Sequence, residues 1–326
     1  MVNESIAVYK AAASGERLGV GRSVLVDPYG VIRAYLGPWP AHLLVEIDPA
    51  VTEMVRATIP VVRHRRREVF DRWSLMCRMR ITVLGGLGAF PDRDQGCSGY
   101  LLRHDGFTML IDPGYATLQP LLTRCAPGDV DAVVVTHGHP DHCADLHPLL
   151  RARALSGGAV QPLPLYAPAG ALDAVLALDS HDVLNGAYRV HELPLPGDVI
   201  CGPLTVATMP VPHFLPNAGL RITAGRTSVV YTGDGGPHEP FAEFAGGAGL
   251  LIAEATYATE VPAPQAGRLS TAADAGALAA LAGAAALWLT HVWPGSDPDA
   301  HLAAARRAYA GPSNVAVPNL TWISPT

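Results

Sequence analysis

From Met79 onward, short apolar runs alternate with stretches of helical periodicity. Apolar runs of four to eight residues predict strands, and apolar positions three and four residues apart predict helices. The predicted strands are a run that begins at Met79, followed by residues 98–103, 107–112, 130–135, 203–209, 219–224, 227–232, 249–254 and 286–290. The predicted helices are residues 116–124, 141–155, 168–178, 271–282 and 298–309.

The connections between two pairs of predicted strands indicate how the sheets are built. Residues 104–106 alone separate the strands at 98–103 and 107–112, and Gly225 and Arg226 alone separate those at 219–224 and 227–232. Connections this short join antiparallel neighbours. We therefore predict an α/β fold with mixed sheets covered by helices, rather than an all-parallel doubly wound sheet.

The first 78 residues follow a different pattern, with weak periodicity and several Gly–Pro breaks. We predict an N-terminal extension over residues 1–78 and a single domain over residues 79–326. Translation from Met76 or Met79 is an alternative hypothesis, under which the upstream residues are an artefact of start-codon choice. The basic run at residues 63–67 is interpreted as a solvated linker, with a nucleic-acid patch as the alternative.

Composition excludes several classes of protein. The net charge of −6 disfavours a broadly basic nucleic-acid-binding surface. Five cysteines without a C-x-x-C pair disfavour a disulfide framework and a thiolate zinc knuckle. The longest uncharged run, residues 275–289, is shorter than the roughly 20 residues that a membrane helix needs, and no secretion signal is recognised. We expect a cytoplasmic protein that does not associate with membranes.

The strand at 130–135 leads directly into the pattern His-x-His-x-Asp-His, formed by His137, His139, Asp141 and His142. Imidazoles at 137 and 139 can turn toward one point from the end of the strand. The adjacent side chains at 141 and 142, in the first turn of a helix, point toward a second position nearby. Histidine and carboxylate side chains at this spacing are typical metal ligands, so the segment predicts two metal ions.

Three further residues follow predicted strands and would complete such a pair of sites. His213 follows the strand at 203–209, Asp234 follows the strand at 227–232, and His291 follows the strand at 286–290. Active sites of α/β folds lie where strands exit into loops. As a set, these three residues are candidate ligands.

The combined pattern resembles the metallo-β-lactamase superfamily over nearly all of residues 79–326. The resemblance implies an αβ/βα four-layer sandwich with two mixed sheets. It also implies a ligand assignment in which His137, His139 and His213 hold one metal, Asp141, His142 and His291 hold the other, and Asp234 bridges them. Asp112 matches an early aspartate of the family, which would orient ligands from outside the coordination sphere. The alternative for Asp112 is a simple turn former before Pro113.

Within the superfamily, an aspartate at 234 is unlike the true β-lactamases, which lack this bridging carboxylate. Residues 143–150, 219–222, 231–234 and 269–276 resemble the branch that contains the tRNA 3′-processing endonuclease RNase Z and related phosphodiesterases. That branch usually has a histidine where this chain has Arg268, and RNase Z has a long basic arm that residues 145–213 do not show. Arg268 would stabilise an anionic transition state. The alternative is an ordinary surface arginine.

These features together predict a dinuclear zinc-dependent hydrolase that uses a metal-bridging hydroxide, most similar to an RNase Z-like phosphodiesterase. Asp141 and Arg268 are the predicted catalytic residues. Mn²⁺, Fe²⁺ or Co²⁺ would also suit the ligand set. The expected substrate is a small-molecule or short nucleotide ester, the binding of large nucleic acids is left open, and the resemblance suggests a homodimer. The alternatives are a hydrolase of lactones, thioesters or other carboxyl esters, and a non-catalytic metal-binding scaffold.

Overall fold

The computed structural model describes residues 24–26, 32–35, 78–155, 161–179 and 181–325. The chain divides into two units, Met1–Asp71 and Arg72–Thr326. In the first unit, the described residues form an antiparallel pair of strands, β1 (Val24–Val26) and β2 (Ile32–Tyr35). The rest of the predicted extension up to residue 77, with the basic run and Met76, lies outside the described residues. The predicted domain boundary therefore stays a prediction.

Two β-sheets form the centre of the second unit. The first sheet contains β3 (Arg80–Leu87), β4 (Gly96–Cys97), β5 (Gly99–His104), β6 (Phe107–Ile111), β7 (Ala132–Val134), β8 (Leu163–Ala167), β9 (Tyr188–Glu192) and β17 (Thr321–Ile323). The second sheet contains β10 (Gly197–Cys201), β11 (Leu204–Val211), β12 (Asn217–Ala224), β13 (Thr227–Tyr231), β14 (Leu250–Glu254), β15 (Leu287–Thr290) and β16 (Ser313–Val315). The spatial order is β17-β3-β5-β6-β7-β8-β9 in the first sheet, where β4 pairs with β3, and β10 through β16 in the second.

Both sheets are mixed, as predicted. The short connection at residues 104–106 joins β5 and β6 as antiparallel neighbours, and the one at residues 225–226 does the same for β12 and β13. From β6 to β9 and from β13 to β16 the strands run parallel. Parallel neighbours bring the carboxyl ends of their strands to one edge of each sheet.

Helices cover the outer face of each sheet. They are α1 (Leu118–Leu122), α2 (Pro140–Cys143), α3 (Leu146–Leu155), α4 (Asp173–Leu176), α5 (His181–Leu184), α6 (Pro240–Phe244), α7 (Ala272–Ala282) and α8 (Pro298–Arg306). Buried leucines such as Leu149 and Leu150 of α3 pack with Val133 of β7, and small residues of α7 and α8 pack with β14 and β15. None of the helices in the described ranges combines the length and apolar composition that a membrane crossing requires.

Apolar side chains between the two sheets form the largest core. Ile81 and Val83 of the first sheet lie in one buried cluster with Val206, Val229 and Ile252 of the second. Because successive side chains of a strand point to opposite faces, each sheet also contributes residues to a second core under its helices. Helix, sheet, sheet and helix thus make four layers, which confirms the predicted αβ/βα sandwich.

Two helix predictions need correction. The helix predicted at 141–155 is interrupted between α2 and α3, because the main-chain N–H of Asp145 donates to Pro113 (2.9 Å) and its carboxylate accepts from the N–H of Leu118 (2.7 Å). The helix predicted at 168–178 is reduced to α4. It starts late because Gly170 adopts a left-handed conformation with φ +74°.

Candidate metal centre

The predicted ligands all lie at one edge of the sandwich, where the strands of both sheets end. The first sheet leads into His137, His139, Asp141 and His142, the last two of which lie in α2. The second sheet supplies His213 after β11, Asp234 after β13 and His291 after β15. The structure therefore brings together all seven predicted ligands.

The backbone at this edge turns sharply. His291 and Asp112 adopt left-handed conformations, with φ of +56° and +47°, which residues other than glycine seldom do. Before Asp234, Gly233 has φ +58°, and a Cβ at that position would lie 2.4 Å from the Asn217 side-chain oxygen. These conformations turn the chain at the strand ends, so that the side chains point into the seam between the sheets.

The first group of ligand atoms consists of three imidazole nitrogens and one carboxylate oxygen. His139 Nδ1 lies 3.0 Å from His137 Nε2 and 3.1 Å from His213 Nε2. Asp234 Oδ2 lies 3.7 Å from His137 Nε2 and 3.8 Å from His213 Nε2. All four atoms lie within 4.8 Å of one another, a spacing that allows them to hold one cation.

The second group shares Asp234 with the first. Asp234 Oδ2 lies 3.0 Å from His291 Nε2 and 3.2 Å from His142 Nε2. Asp141 Oδ2 lies 3.1 Å from His291 Nε2 and 3.6 Å from His142 Nε2. One carboxylate oxygen is therefore common to both sets of ligand atoms.

The hydrogen bonding within the groups shows that these residues fit cations. Two imidazole nitrogens that face each other at 3.0 Å, as in His137 and His139, need either a proton or a cation between them. Asp234 Oδ1 is buried and has no hydrogen-bond partner, which is costly for a polar atom. Neutral imidazoles and carboxylates are the ligands that Zn²⁺ and similar divalent cations prefer. Each group could therefore hold one such ion.

Burial controls the charge of the first group. It lowers the pKa of His137, His139 and His213 below the usual range for histidine. These imidazoles are consequently neutral near pH 7, and each offers a lone pair to a cation. A metal can bind without net release of a proton from these imidazoles, because a proton between His137 and His139 can move to the other nitrogen of its ring.

The second group behaves differently because it is rich in carboxylates. Burial alone would lower the pKa of His142 and His291. The negative charges of Asp234 and the neighbouring carboxylates outweigh this effect. They raise the pKa of His291 to about 10 and that of His142 well above its usual range. In turn, although burial disfavours their ionised form, the two histidines hold the pKa of Asp141 and of Asp234 below the usual range. Without a cation, buried ion pairs hold this group together.

Asp112 anchors the first-sheet side of the centre, the position that the family resemblance implies for it. Its fully buried carboxylate lies 2.8 Å from His142 Nδ1 and accepts the Tyr231 hydroxyl at 3.0 Å. It also accepts both the N–H and the hydroxyl of Thr136, each at 2.7 Å. The bond to Nδ1 turns His142 Nε2 toward Asp234, as carboxylates behind metal-binding histidines commonly do.

A second buried carboxylate, which the sequence analysis missed, plays the same part on the other sheet. The Thr256 hydroxyl donates to Glu254 Oε1 at 2.6 Å and lies 2.8 Å from His291 Nδ1. Glu254 also accepts the N–H groups of Gly235 and Ser270. The sequence signal was a polar pair, Glu-x-Thr, at the end of the otherwise apolar strand β14. Burial, reinforced by the negative charge of Asp234, raises the pKa of Glu254 to about 8.

Arg268 lies beside the first group, with its side chain exposed. Its main-chain oxygen lies 3.0 Å from His213 Nδ1, and its guanidinium donates to the His213 carbonyl oxygen. The guanidinium carbon lies 5.8 Å from the centre of the Phe214 ring. Arg268 thus fixes the His213 ring through its main chain, while its positive charge stays at the rim of the site.

Exposed aromatic side chains lie next to part of the centre. Among the described residues, the exposed aromatic side chains are Phe90, Tyr115, Phe214 and Trp293. Phe214 directly follows His213, and Trp293 lies two residues after His291. The Trp293 ring packs edge-on against the Phe90 ring, with 5.9 Å between the ring centres, and stacks on the Tyr257 ring, with 6.2 Å between the ring centres. We call Phe90, Tyr115, Phe214 and Trp293 the aromatic rim.

The sequence and the fold are both similar to those of known proteins. Residues 108–292 match the family model of the β-lactamase superfamily domain. The probable metallo-hydrolase YhfI of Bacillus subtilis is 31% identical over 247 residues, which cover 75% of this chain and 99% of that protein. A ribonuclease Z of Methanosarcina acetivorans is 27% identical over 269 residues, covering 66% of this chain and 87% of the relative. The crystal structure of the metallo-β-lactamase fold protein YhfI from Bacillus subtilis matches with a TM-score of 0.70 and 29% identity over 76% of this chain and all of that one.

Proposed function

Because the chain belongs to the β-lactamase superfamily and is a metallo-hydrolase of that superfamily, we propose that it is a dinuclear zinc-dependent phosphodiesterase. The observation that carries the proposal is the position of Asp234 Oδ2 within both groups of ligand atoms. A carboxylate oxygen shared in this way suits two cations that act on one substrate. The proposed ligands are His137, His139 and His213 for one ion and Asp141, His142 and His291 for the other, with Asp234 common to both.

Two divalent cations bound at these residues would supply hydroxide near neutral pH and would offset the negative charge of a phosphodiester. The chain's own residues have separate tasks. Asp141 accepts the N–H of Ala89 at 2.7 Å and stays ionised, because His142 and His291 hold its pKa low. We assign to the ionised Asp141 carboxylate the role of orienting the nucleophile.

The rim of the site supports an anionic substrate with a flat organic group. Arg268 presents an exposed positive charge next to the first group, and arginine binds phosphate oxygens through paired N–H donors. Phe214 and Trp293 expose aromatic faces beside the ligand loops, and such faces stack well on rings. These residues favour a phosphodiester whose ester group carries a ring.

The segment between Asp145 and His213 bears on the size of the substrate. Residues 145–213 lack a long basic arm that would hold a large folded nucleic acid. The similarity to a ribonuclease Z supports phosphodiester chemistry. A small-molecule ester or a short nucleotide ester fits both observations.

A substrate panel tests this proposal directly. The purified full-length chain, loaded with Zn²⁺ or Mn²⁺, is assayed with a bis-aryl phosphodiester, a 2′,3′-cyclic nucleotide, a pre-tRNA, an acyl-homoserine lactone and a thioester. We expect hydrolysis of the small phosphodiesters. Cleavage of the lactone or thioester alone would replace the proposal with a carboxyl-ester hydrolase. Full metal occupancy, measured by mass spectrometry, without any turnover would make the chain a metal-binding scaffold.

A further inference from the structure

A polar cavity of about 270 Å³ lies on the first sheet, away from the candidate metal centre. Arg80 begins β3, and the far end of that strand, Leu87, leads to Gly88 beside the His291 ring. Arg103 pairs with Arg80 near the end of β5. Strand length therefore separates the cavity from the ligand groups.

The cavity opens on the helix-covered face of the sheet. Arg80 and Thr82 alternate along β3 with Ile81 and Val83, which are buried in the core between the sheets. Successive side chains of a strand point to opposite faces, so Arg80 and Thr82 point outward. Leu101, which belongs to the core under the helices, forms part of the cavity wall.

Three arginines, Arg80, Arg103 and Arg124, line this cavity. Arg80 and Arg103 are direct cross-strand neighbours, and like charges in that position destabilise a sheet. Within the part of the chain that the structure describes, no carboxylate lies within ion-pair distance of these three guanidinium groups. Arg151, by contrast, forms an ion pair with Asp179. The charges of the cavity are therefore not neutralised by the described residues.

Neutral groups hold two of the arginines in place. Arg103 Nη2 donates to the Arg124 carbonyl oxygen at 2.9 Å. Arg124 donates to the Pro120 carbonyl oxygen, to the Thr123 hydroxyl and to the Asn319 side-chain oxygen. Carbonyl and hydroxyl oxygens fix a guanidinium without cancelling its charge. Arg80 makes no side-chain hydrogen bond to any described residue, so its donors remain available.

Two hydroxyl groups add to the polar lining. Thr82 Oγ1 and Thr321 Oγ1 lie 3.0 Å apart on the neighbouring strands β3 and β17. Hydroxyls both donate and accept hydrogen bonds, and they commonly assist arginine in holding phosphate oxygens. The cavity thus combines three positive charges, two hydroxyls and a concave shape.

We propose that this arginine pocket, formed by Arg80, Arg103, Arg124, Thr82 and Thr321, binds a small anion that carries a phosphate group. The guanidinium fork matches the geometry of phosphate oxygens, and the partly buried position strengthens the attraction relative to an open surface. A bound phosphate also offsets the repulsion between Arg80 and Arg103. The pocket requires no metal, and its ligand is separate from the substrate of the metal centre.

Isothermal titration of the full chain with inorganic pyrophosphate tests the proposal. Pyrophosphate also binds metal ions, so each titration is repeated in the Asp234→Ala background. We expect binding that persists in that background and is weakened about ten-fold or more by Arg80→Gln, which removes charge-assisted hydrogen bonds. Arg226→Gln, an exposed arginine in the turn between β12 and β13, is the matched control and should leave the affinity unchanged.

Thermal unfolding guards against a trivial loss of binding through misfolding. Without anions, the Arg80→Gln variant should unfold at or above the wild-type temperature, because the substitution removes one of three like charges. Pyrophosphate should raise the unfolding midpoint temperature of the wild type more than that of the variant. Glycerol 3-phosphate forms the second arm: if it binds too, the pocket recognises an esterified phosphate, and if it does not, the ligand is inorganic. Absence of pyrophosphate binding, equal binding by Arg80→Gln, or binding that disappears with Asp234→Ala would overturn the proposal.

Discussion

Replacing Gly88 with alanine should remove one metal ion and leave the other. A Cβ at Gly88 would lie 2.6 Å from both Cε1 and Nδ1 of His291 and 2.9 Å from its Cγ. Since ordinary contact begins at 3.4 Å, the ring would have to retreat by about 0.8 Å. The retreat is opposed by Thr256, which lies 2.8 Å from His291 Nδ1. Gly88 does not have a positive φ, so the substitution adds no backbone strain of that kind.

The expected loss follows from how little a metal site tolerates displacement. Ligand distances in metal sites vary by only about 0.2 Å, so a shift of about 0.8 Å takes His291 out of reach of its cation. A misplacement of about 1 Å typically costs about 100-fold in rate. The first group does not include His291, and its four ligands stay in place. We therefore expect Gly88→Ala to lose one ion per chain and about 100-fold in phosphodiester turnover.

Metal content by inductively coupled plasma mass spectrometry and steady-state hydrolysis of a bis-aryl phosphodiester measure the two effects. The matched control is Gly128→Ala, where a new Cβ meets nothing within 4 Å and the φ is ordinary. Circular dichroism verifies that both variants fold. A Gly88→Ala protein with unchanged metal content and unchanged turnover would refute the assignment of His291 as a ligand.

Three further substitutions test the remaining assignments. Asp234→Ala should abolish binding of both ions and cost about 100-fold or more in turnover, because it removes the shared oxygen. Metal analysis checks this, with the exposed Asp198→Ala as the control, and retention of either ion would contradict the shared role. Arg268→Ala keeps the main-chain carbonyl beside His213 Nδ1, so metal content should stay constant while kcat falls, and an unchanged kcat in steady-state kinetics would exclude a catalytic role for Arg268. In metal-free protein, Glu254 has a folded pKa of about 8 against an ordinary value of 4.5; the folded state therefore binds more protons, and the free energy of unfolding should fall as pH rises through that window. Glu254→Gln should lack this component, which denaturant titrations across the window would reveal as a difference in slope, and identical slopes would show that Glu254 is not held protonated.

The part of the site that the sequence revealed is the part encoded by local spacing. His137, His139, Asp141 and His142 lie within six consecutive residues, so the pattern is visible without a structure. Glu254 and Thr256 act on His291 across the interior, and nothing in their spacing from it marks the contact. The arginine pocket depends on strand register in the same way, because only the pairing of β3 with β5 places Arg80 opposite Arg103.

The fold shows a similar division. Strands with continuous apolar runs, such as β14, were predicted almost to the residue. Strands β9 and β10 were missed because they are largely exposed and carry polar residues, and β8 because Pro164 interrupts its run. The break between α2 and α3 was missed because it depends on Asp145 binding the start of α1, a contact between distant segments.

Each ligand group draws two residues from the first sheet and two from the second. One half of the sandwich cannot unfold while a cation stays coordinated by residues of both halves. Bound cations would therefore couple the unfolding of the two halves. Ligands that bind only the folded state stabilise it in proportion to the logarithm of their free concentration. The protein should accordingly become resistant to heat and proteases when metal is plentiful, and a strong chelator should loosen both halves of the sandwich together.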